Sequence, residues 1–202
     1  MIIIVNYGMG NVGSIANMHK KIGVPAAVSS DADAIRSADK LILPGVGAFD
    51  EGMRNLADRG LLPVLNERVV EQKTPVLGIC LGMQLMTAGS EEGSRPGLGW
   101  MPGRTVRFRV NGNGLKVPHM GWNTVHPQAP SRLFGGLPVP SRFYFVHSYH
   151  VRCDCPEVIA ATVNHGYDFP AALEYGHVYG VQFHPEKSHR FGMALLKRFA
   201  AL

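Results

Sequence analysis

Long apolar runs are missing from this 202-residue chain. None approaches the ~20 residues that cross a bilayer, which argues against a membrane partner. The apolar opening, Met1 to Val5, has no basic leader and stops at Asn6 and Tyr7, so it reads as a first strand and not as a secretory signal. Charge is sparse: 17% of residues are charged against 46% hydrophobic, with a mean hydropathy of +0.02. That is a globular, soluble composition and not a disordered one. No internal repeat or linker breaks the chain, and its length suits one domain of ~100–200 residues. Residues 1–202 are therefore read as a single domain.

Cysteine is scarce and odd in number. Cys80, Cys153 and Cys155 cannot form an even disulfide framework, so a reducing, cytoplasmic setting fits better. Cys153-Asp-Cys155 has neither a second cysteine pair nor a histidine at finger spacing, and no metal site or other cofactor is expected. The formal net charge of +5 is mildly basic. Its densest spots, Lys20–Lys21 and Arg104, Arg107, Arg109, make no long run or stripe, so a nucleic-acid partner is not expected. An acidic protein partner or a phosphorylated ligand would suit that charge.

The first half alternates strand and helix. Ile2–Val5 is a short β-branched run of the kind buried in parallel sheets. Gly8-Met-Gly10-Asn11 turns the chain, and Ile15, Met18 and Ile22 recur at helical spacing across residues 12–22. Further strands are expected at 25–28, 41–43 and 76–79. Helices are expected at 31–37 behind an Asp31 cap, at 49–56, at 62–70 and from Leu81 to Thr87. Such alternation predicts a doubly wound, mostly parallel sheet flanked by helices. From Leu98 the patterns become short and turn-rich, which predicts additional mixed or antiparallel strands. Residues 105–110 and 115–117 read as a hairpin across an Asn111–Gly114 turn. More strands are expected at 143–147, 158–163, 169–174 and 178–183. A closing helix is expected at 189–200, with Phe191, Leu195, Leu196 and Phe199 on one side.

Chemistry concentrates in three segments. In Gly78-Ile-Cys80-Leu-Gly82 a cysteine stands where an apolar strand meets a helix, with a glycine two residues to either side. This is the nucleophile-elbow spacing, in which glycines permit a sharp strand-to-helix turn that exposes the nucleophile. Helix N-terminal N–H groups beside it can hold an oxyanion. A nucleophile needs a base, and the base an orienting group. In Gln182-Phe-His184-Pro-Glu186 a histidine follows a strand, and Glu186 is near enough to fold back onto it. Cys80, His184 and Glu186 are therefore candidate catalytic residues. Pro44-Gly45-Val46-Gly47 also follows a strand, and its glycines would let backbone N–H groups approach a reacting carbonyl. Neither this segment nor Gly8-Met-Gly10 continues as a dinucleotide fingerprint.

These three motifs, in this order and spanning nearly the whole chain, resemble the class I (triad) glutamine amidotransferase family. The resemblance implies hydrolysis of glutamine to glutamate and ammonia, with Leu81 and Gly45–Gly47 supplying oxyanion donors. It also implies that Gln84 and the backbone around His147, Ser148 and Tyr149 hold the amino-acid end of the substrate. Three further segments, Asn6–Asn11, Lys116–Asn123 and Tyr144–Tyr149, resemble the glutaminase subunits of imidazole glycerol phosphate synthases. That likeness implies a cyclase (β/α)₈-barrel partner in a 1:1 heterodimer, fed with ammonia, with Asn11, Trp122, Asn123, Tyr144 and Lys187 at the interface. It further suggests a glutaminase that rests until the partner's ligand turns over the Pro44–Gly47 strand. The alternatives are the amidotransferase subunit of another synthase (anthranilate, aminodeoxychorismate, carbamoyl phosphate or GMP) and a partner-independent γ-glutamyl cysteine hydrolase.

Overall fold

A computed structural model describes residues 1–109, 115–128, 130–153 and 155–202. The first half runs β1 (Ile2–Val5), α1 (Val12–Ile22), β2 (Ala26–Ser29), α2 (Ala32–Arg36), β3 (Lys40–Leu43), α3 (Phe49–Asp58), α4 (Leu61–Asn66), β4 (Val76–Ile79) and α5 (Leu81–Leu85). The second half runs β5 (Arg104–Arg107), β6 (His119–Pro127), β7 (Ser141–His147), β8 (Tyr149–Arg152), β9 (Ile159–Asn164), β10 (Asp168–Tyr175), β11 (Val178–Val181) and α6 (His189–Ala201). No helix among the described residues is long and apolar enough to cross a membrane.

The main sheet has nine strands in the order β2-β1-β3-β4-β11-β10-β9-β6-β7. Strands β2, β1, β3, β4 and β11 are parallel neighbours. From β11 onward every pairing is antiparallel. Of the parallel strands, β1, β4 and β11 are buried on every residue because helices cover both of their faces. β1 shows the division. Side chains alternate across a strand, so Ile2 and Ile4 join the core under α1 and α6 with Ile15, Leu195 and Phe199. Ile3 and Val5 join the opposite core with Ile35, Phe49 and Leu56. α2 is opened as expected by Asp31, whose carboxylate accepts from the Ala34 N–H at 2.8 Å. The 62–70 helix begins one residue early and ends as a π-turn over Glu67–Glu71. α5 is only five residues long and stops short of Thr87.

The expected 105–117 hairpin is corrected. β5 pairs antiparallel with β8, Arg104 opposite Arg152 and Arg107 opposite Tyr149, in a separate two-stranded sheet. The proposed turn, residues 111–114, lies outside the described residues, as does Val110. Leu115 and Val117 form no strand and are exposed. Pairing with β8 lets Thr105 and Val106 be buried, and this tertiary gain outweighs the nearer partner that turn chemistry suggests. β6, at nine residues the longest strand among the described residues, covers a stretch where the sequence pattern predicts no strand. In the expected 178–183 strand, the ladder ends at Val181, and a bend at Gln182 and Phe183 leads to His184, with Phe183 stacked on Phe143 in the core. Phe191 is half-buried, whereas Leu195, Leu196 and Phe199 are fully buried.

Candidate active site

β4 delivers Cys80 to the carboxyl end of the sheet, where open α/β sheets bind ligands. Cys80 has φ 53° and ψ −109°. A positive φ is costly for a residue with a Cβ and persists only where the surroundings impose it. The neighbours impose it here. A Cβ on Gly78 would lie 2.7 Å from the Met83 backbone nitrogen, and one on Gly82 would overlap the Leu43 carbonyl. The two flanking glycines thus let α5 press against β3 and β4 and force the elbow between them. Cys80 is 6% exposed, and its N–H donates to the Val181 carbonyl at 2.8 Å.

β11, the parallel neighbour of β4, leads to His184. The His184 N–H donates to the Tyr144 carbonyl at 2.9 Å, and its own carbonyl accepts from the Ser188 hydroxyl at 2.6 Å. The Ser188 hydroxyl also accepts from the Tyr144 N–H at 3.0 Å. The backbone of His184 is therefore clamped against β7. Its Nδ1 and the Glu186 carboxylate lie 2.8 Å apart, and both side chains are 1% exposed. Because a carboxylate can only accept, Nδ1 carries the proton and Nε2 is left for the sulfur side. Burial by itself would lower the imidazole pKa. The Cys80 thiol and Glu186 outweigh it and raise His184 to about 10. The Nε2 and Glu186 Oε2 atoms are buried and make no hydrogen bond of good geometry.

A cleft of about 470 Å³ opens over Cys80. Val46, Gly47, Leu81, Gln84, His147, Ser148 and Tyr149 line it, as does Lys187. Larger hollows exist, including one of about 740 Å³ between Trp100, Tyr175 and His177 at the amino end of the strands. No cysteine lines it. Gly45 sits just behind the cleft, and its carbonyl accepts from the Leu81 N–H at 3.3 Å. A Cβ on Gly45 would lie 2.6 Å from the Tyr7 hydroxyl and 2.9 Å from the Gly82 nitrogen, so only glycine fits there.

Three further side chains reach the site only through the fold. Gln182 donates from Nε2 to the Cys80 sulfur at 3.6 Å. Its Oε1 accepts from Gln84 Nε2 at 3.0 Å, and Gln84 Nε2 also donates to the Tyr149 carbonyl at 3.0 Å. Tyr7 donates to the Pro44 carbonyl at 2.6 Å. Burial and the nearby Cys80 sulfur push its phenol pKa well above the usual range. Glu92 lines the cleft, and its carboxylate accepts from the Phe49 N–H at 2.9 Å. Gln182 and Tyr7 sit inside segments quoted as motifs, but neither carries a local signal that its side chain turns toward sulfur or toward Pro44.

The interface candidates fall in different places. Trp122 is 39% exposed and stacks on His189 at 5.5 Å. Tyr144 meets Trp122 edge-on at 6.3 Å, and Lys187 Nζ lies 5.7 Å from the Tyr144 ring centre. Asn11 is exposed before α1, and its side chain makes no capping hydrogen bond. Asn123 is engaged internally: Nδ2 donates to His119 Nε2 at 3.1 Å and to the Asn164 carbonyl at 2.8 Å. Cys153 and Cys155 pack at the edge of the second core, and Cys153 donates to the Pro102 carbonyl at 3.1 Å. Asp154 lies outside the described residues.

Comparison with known proteins agrees with this geometry. The family model described as "Glutamine amidotransferase class-I" matches residues 3–201. The imidazole glycerol phosphate synthase subunit HisH 2 of Methanococcus maripaludis is 53% identical over 98% of both chains. The HisH subunit of Bdellovibrio bacteriovorus is 50% identical over 100% of both. Among solved structures, a glutamine amidotransferase superposes with a TM-score of 0.77 over 100% of both chains at 19% identity. PurLQS from Thermotoga maritima superposes with a TM-score of 0.74 over 99% of this chain and 97% of that one, at 15% identity. At such identities the structural likeness speaks for the fold. The sequence likeness goes further: the chain belongs to the class I glutamine amidotransferase family, within its branch of imidazole glycerol phosphate synthase HisH subunits.

Proposed function

We propose that the chain releases ammonia from glutamine through Cys80, His184 and Glu186 and passes it to a cyclase (β/α)₈-barrel subunit in a 1:1 heterodimer. The observation that carries this reading is the forced positive φ of Cys80 beside the buried His184–Glu186 pair. The Cys80 thiolate attacks the side-chain amide carbon, and the oxyanion is held by the Leu81 N–H and the 45–47 strand. His184 gives its Nε2 proton to the departing ammonia as the tetrahedral state collapses to a thioester. It then takes a proton from water, whose oxygen attacks the thioester, so that glutamate leaves and the thiolate returns. Glu186 holds the imidazole in the required tautomer and balances its charge. Glu92 and Lys187 bring one charge of each sign to the cleft, which suits a zwitterionic amino acid.

The partner face continues from the cleft. Trp122 pairs with Tyr144 and Met120 with Val146 in the β6–β7 register, so all four share one face of the sheet. Met120 is 61% exposed, and Val146 and Lys187 belong to the cleft itself. An apolar patch rimmed by polar groups beside a catalytic cleft suits docking of a subunit that receives the product. The products expected of the complex are imidazole glycerol phosphate and an aminoimidazole carboxamide ribonucleotide. The odd cysteine count and this reaction both suit a cytoplasmic enzyme.

Glutamate release is the decisive measurement. The chain is assayed alone, then with a cyclase-barrel subunit and its ribulosyl nucleotide ligand. Near silence alone and a strong rise with both is expected. Vigorous activity alone, unchanged by the barrel, would point to a partner-independent hydrolase.

A further inference from the structure

Two histidines are buried among aromatic rings, His147 in the wall of the cleft and His119 behind it. His119 on β6 and His147 on β7 are direct cross-strand partners. His119 stacks between Phe145 at 4.6 Å and His165 at 4.3 Å. Phe108 and Phe169 also pack against both histidines. Aliphatic or phenyl side chains would fill this space without the cost of burying polar atoms. The two imidazoles are instead joined in series. His119 Nδ1 lies 3.0 Å from His147 Nε2, and His147 Nδ1 lies 2.7 Å from the Tyr149 carbonyl.

The direction of the series is fixed by its end. A carbonyl only accepts, so His147 carries its proton on Nδ1. Burial above all keeps His147 neutral, with a pKa far below the usual value. Its Nε2 is then a lone pair, and His119 must donate from Nδ1. Burial, helped by His165, lowers His119 to about 4, so it too is neutral. His119 Nε2 must then accept, and its partner is the Asn123 amide, a donor, at 3.1 Å. Every link agrees on one polarity, from Asn123 through His119 and His147 to Tyr149.

The Tyr149 carbonyl accepts a second bond, from Gln84. Gln84 Nε2 has two protons, and these go to Tyr149 and to Gln182 Oε1. Gln84 Oε1 is therefore the acceptor left on a side chain that lines the cleft, and Gln182 must present its own Nε2 protons toward Cys80. Should the Tyr149 carbonyl turn, the Gln84 amide loses the partner that fixes which of its ends is the acceptor.

We propose that Asn123, His119 and His147 form a one-way hydrogen-bond relay that orients the Tyr149 carbonyl and thereby sets Gln84 as the acceptor for the α-ammonium group of the substrate. These are positioning residues for substrate recognition, and the proposal rests on the glutamine reading of the cleft. An amide flip of Gln84 would turn a donor on the ammonium, so loss of the relay weakens ground-state binding more than it slows the chemical step.

The test uses the full chain in a Cys80→Ala background, where glutamine binds without turnover, with affinity measured by calorimetry. His119→Phe keeps the ring stack and removes the donor, and binding is expected to weaken about tenfold, the equivalent of one hydrogen bond. His119→Asn carries an amide donor at the Nδ1 position and is expected to recover most of that loss. In the complex with Cys80 intact, His119→Phe should raise KM more than it lowers kcat. Nitrogen NMR of the unsubstituted chain should show His119 and His147 as neutral Nδ1–H tautomers. Asn123→Asp, which can only accept, should move the His119 proton to Nε2 and also weaken binding. A Cys80→Ala chain that binds no glutamine would overturn the glutamine reading and the relay with it. A Cys80→Ala chain that binds glutamine, with His119→Phe binding equally well, would overturn the relay alone. An Nε2–H tautomer at His147 would do the same even if the His119→Phe variant fails to fold.

Discussion

The carbonyl of Gly45 accepts a hydrogen bond from the N–H of Leu81 at 3.3 Å, and Leu81 is the residue after the nucleophile. In the proposed mechanism that N–H is a donor to the oxyanion. The Gly45–Val46 peptide is trans, so its carbonyl and N–H point in opposite directions. With the carbonyl turned to Leu81, the Val46 N–H faces away from it. On the proposed mechanism, this arrangement occupies one oxyanion donor and averts another. Loss of one such donor costs a factor of ~10²–10³ in rate. The glutaminase is therefore expected to rest until the 45–46 peptide turns over. Glutamate release should rise by about that factor when partner and ligand are both present.

The hydroxyl of Tyr7 holds the same strand through the Pro44 carbonyl. Tyr7→Phe removes that tether and leaves a buried acceptor unpaired, at a cost of ~1–3 kcal/mol in stability. A loosened strand turns over more readily. The basal glutaminase rate of the isolated chain should rise several-fold, while the fully activated rate changes less. A basal rate that stays flat or falls would show that Tyr7 does not hold the resting form.

Cys80→Ala should abolish glutamine-dependent synthesis by the complex and leave synthesis from free ammonia intact, because only the first step uses the sulfur. Both rates are read in one assay by exchanging glutamine for an ammonium salt. Loss of the ammonia-dependent reaction would contradict the separation of the two chemistries.

The pH dependence follows from His184, raised to about 10 from an ordinary 6.5. A raised folded-state pKa contributes stability that is fully present below about pH 6.5 and is lost as pH climbs through about 10. Removing the carboxylate with Glu186→Gln removes one source of the rise. Denaturant titrations should show the wild-type chain losing its advantage over the variant across that window. The alkaline limb of kcat/KM in the activated complex should shift downward in Glu186→Gln. Parallel stability curves from pH 6.5 to 10 would contradict the pairing.

Two glycines separate packing from propensity. A Cβ on Gly82 would overlap the Leu43 carbonyl, whereas a Cβ on Gly13 in α1 meets nothing within 4 Å. Gly82→Ala should destabilise by ~1–3 kcal/mol or more and displace the elbow. Gly13→Ala should stabilise by ~0.4–1 kcal/mol, since alanine lowers the entropy of the unfolded chain. Thermal melts of the free chain distinguish the two. Trp122→Ala tests the docking face in the same way. With 39% of the residue exposed, melting should change little while association with the barrel weakens, and an unfolded variant would return Trp122 to the core.

Much of this protein is written locally. The apolar run Ile2–Val5, the 12–22 helical spacing and the Asp31 cap each lie within a few residues, and burial of a strand or closure of a helix needs no distant information. The same holds for Gly78 and Gly82 around Cys80, since the elbow's steric demand is met by residues two positions away. The tertiary structure decided the rest. That β5 would pair with β8, that His119 would face His147, and that Gln182 would reach the Cys80 sulfur all depend on strand order and register, which join residues tens of positions apart. The facing of the 45–46 peptide depends on more still. Its Gly45 carbonyl meets the Leu81 N–H on another element, a partner that nothing within Pro-Gly-Val-Gly specifies.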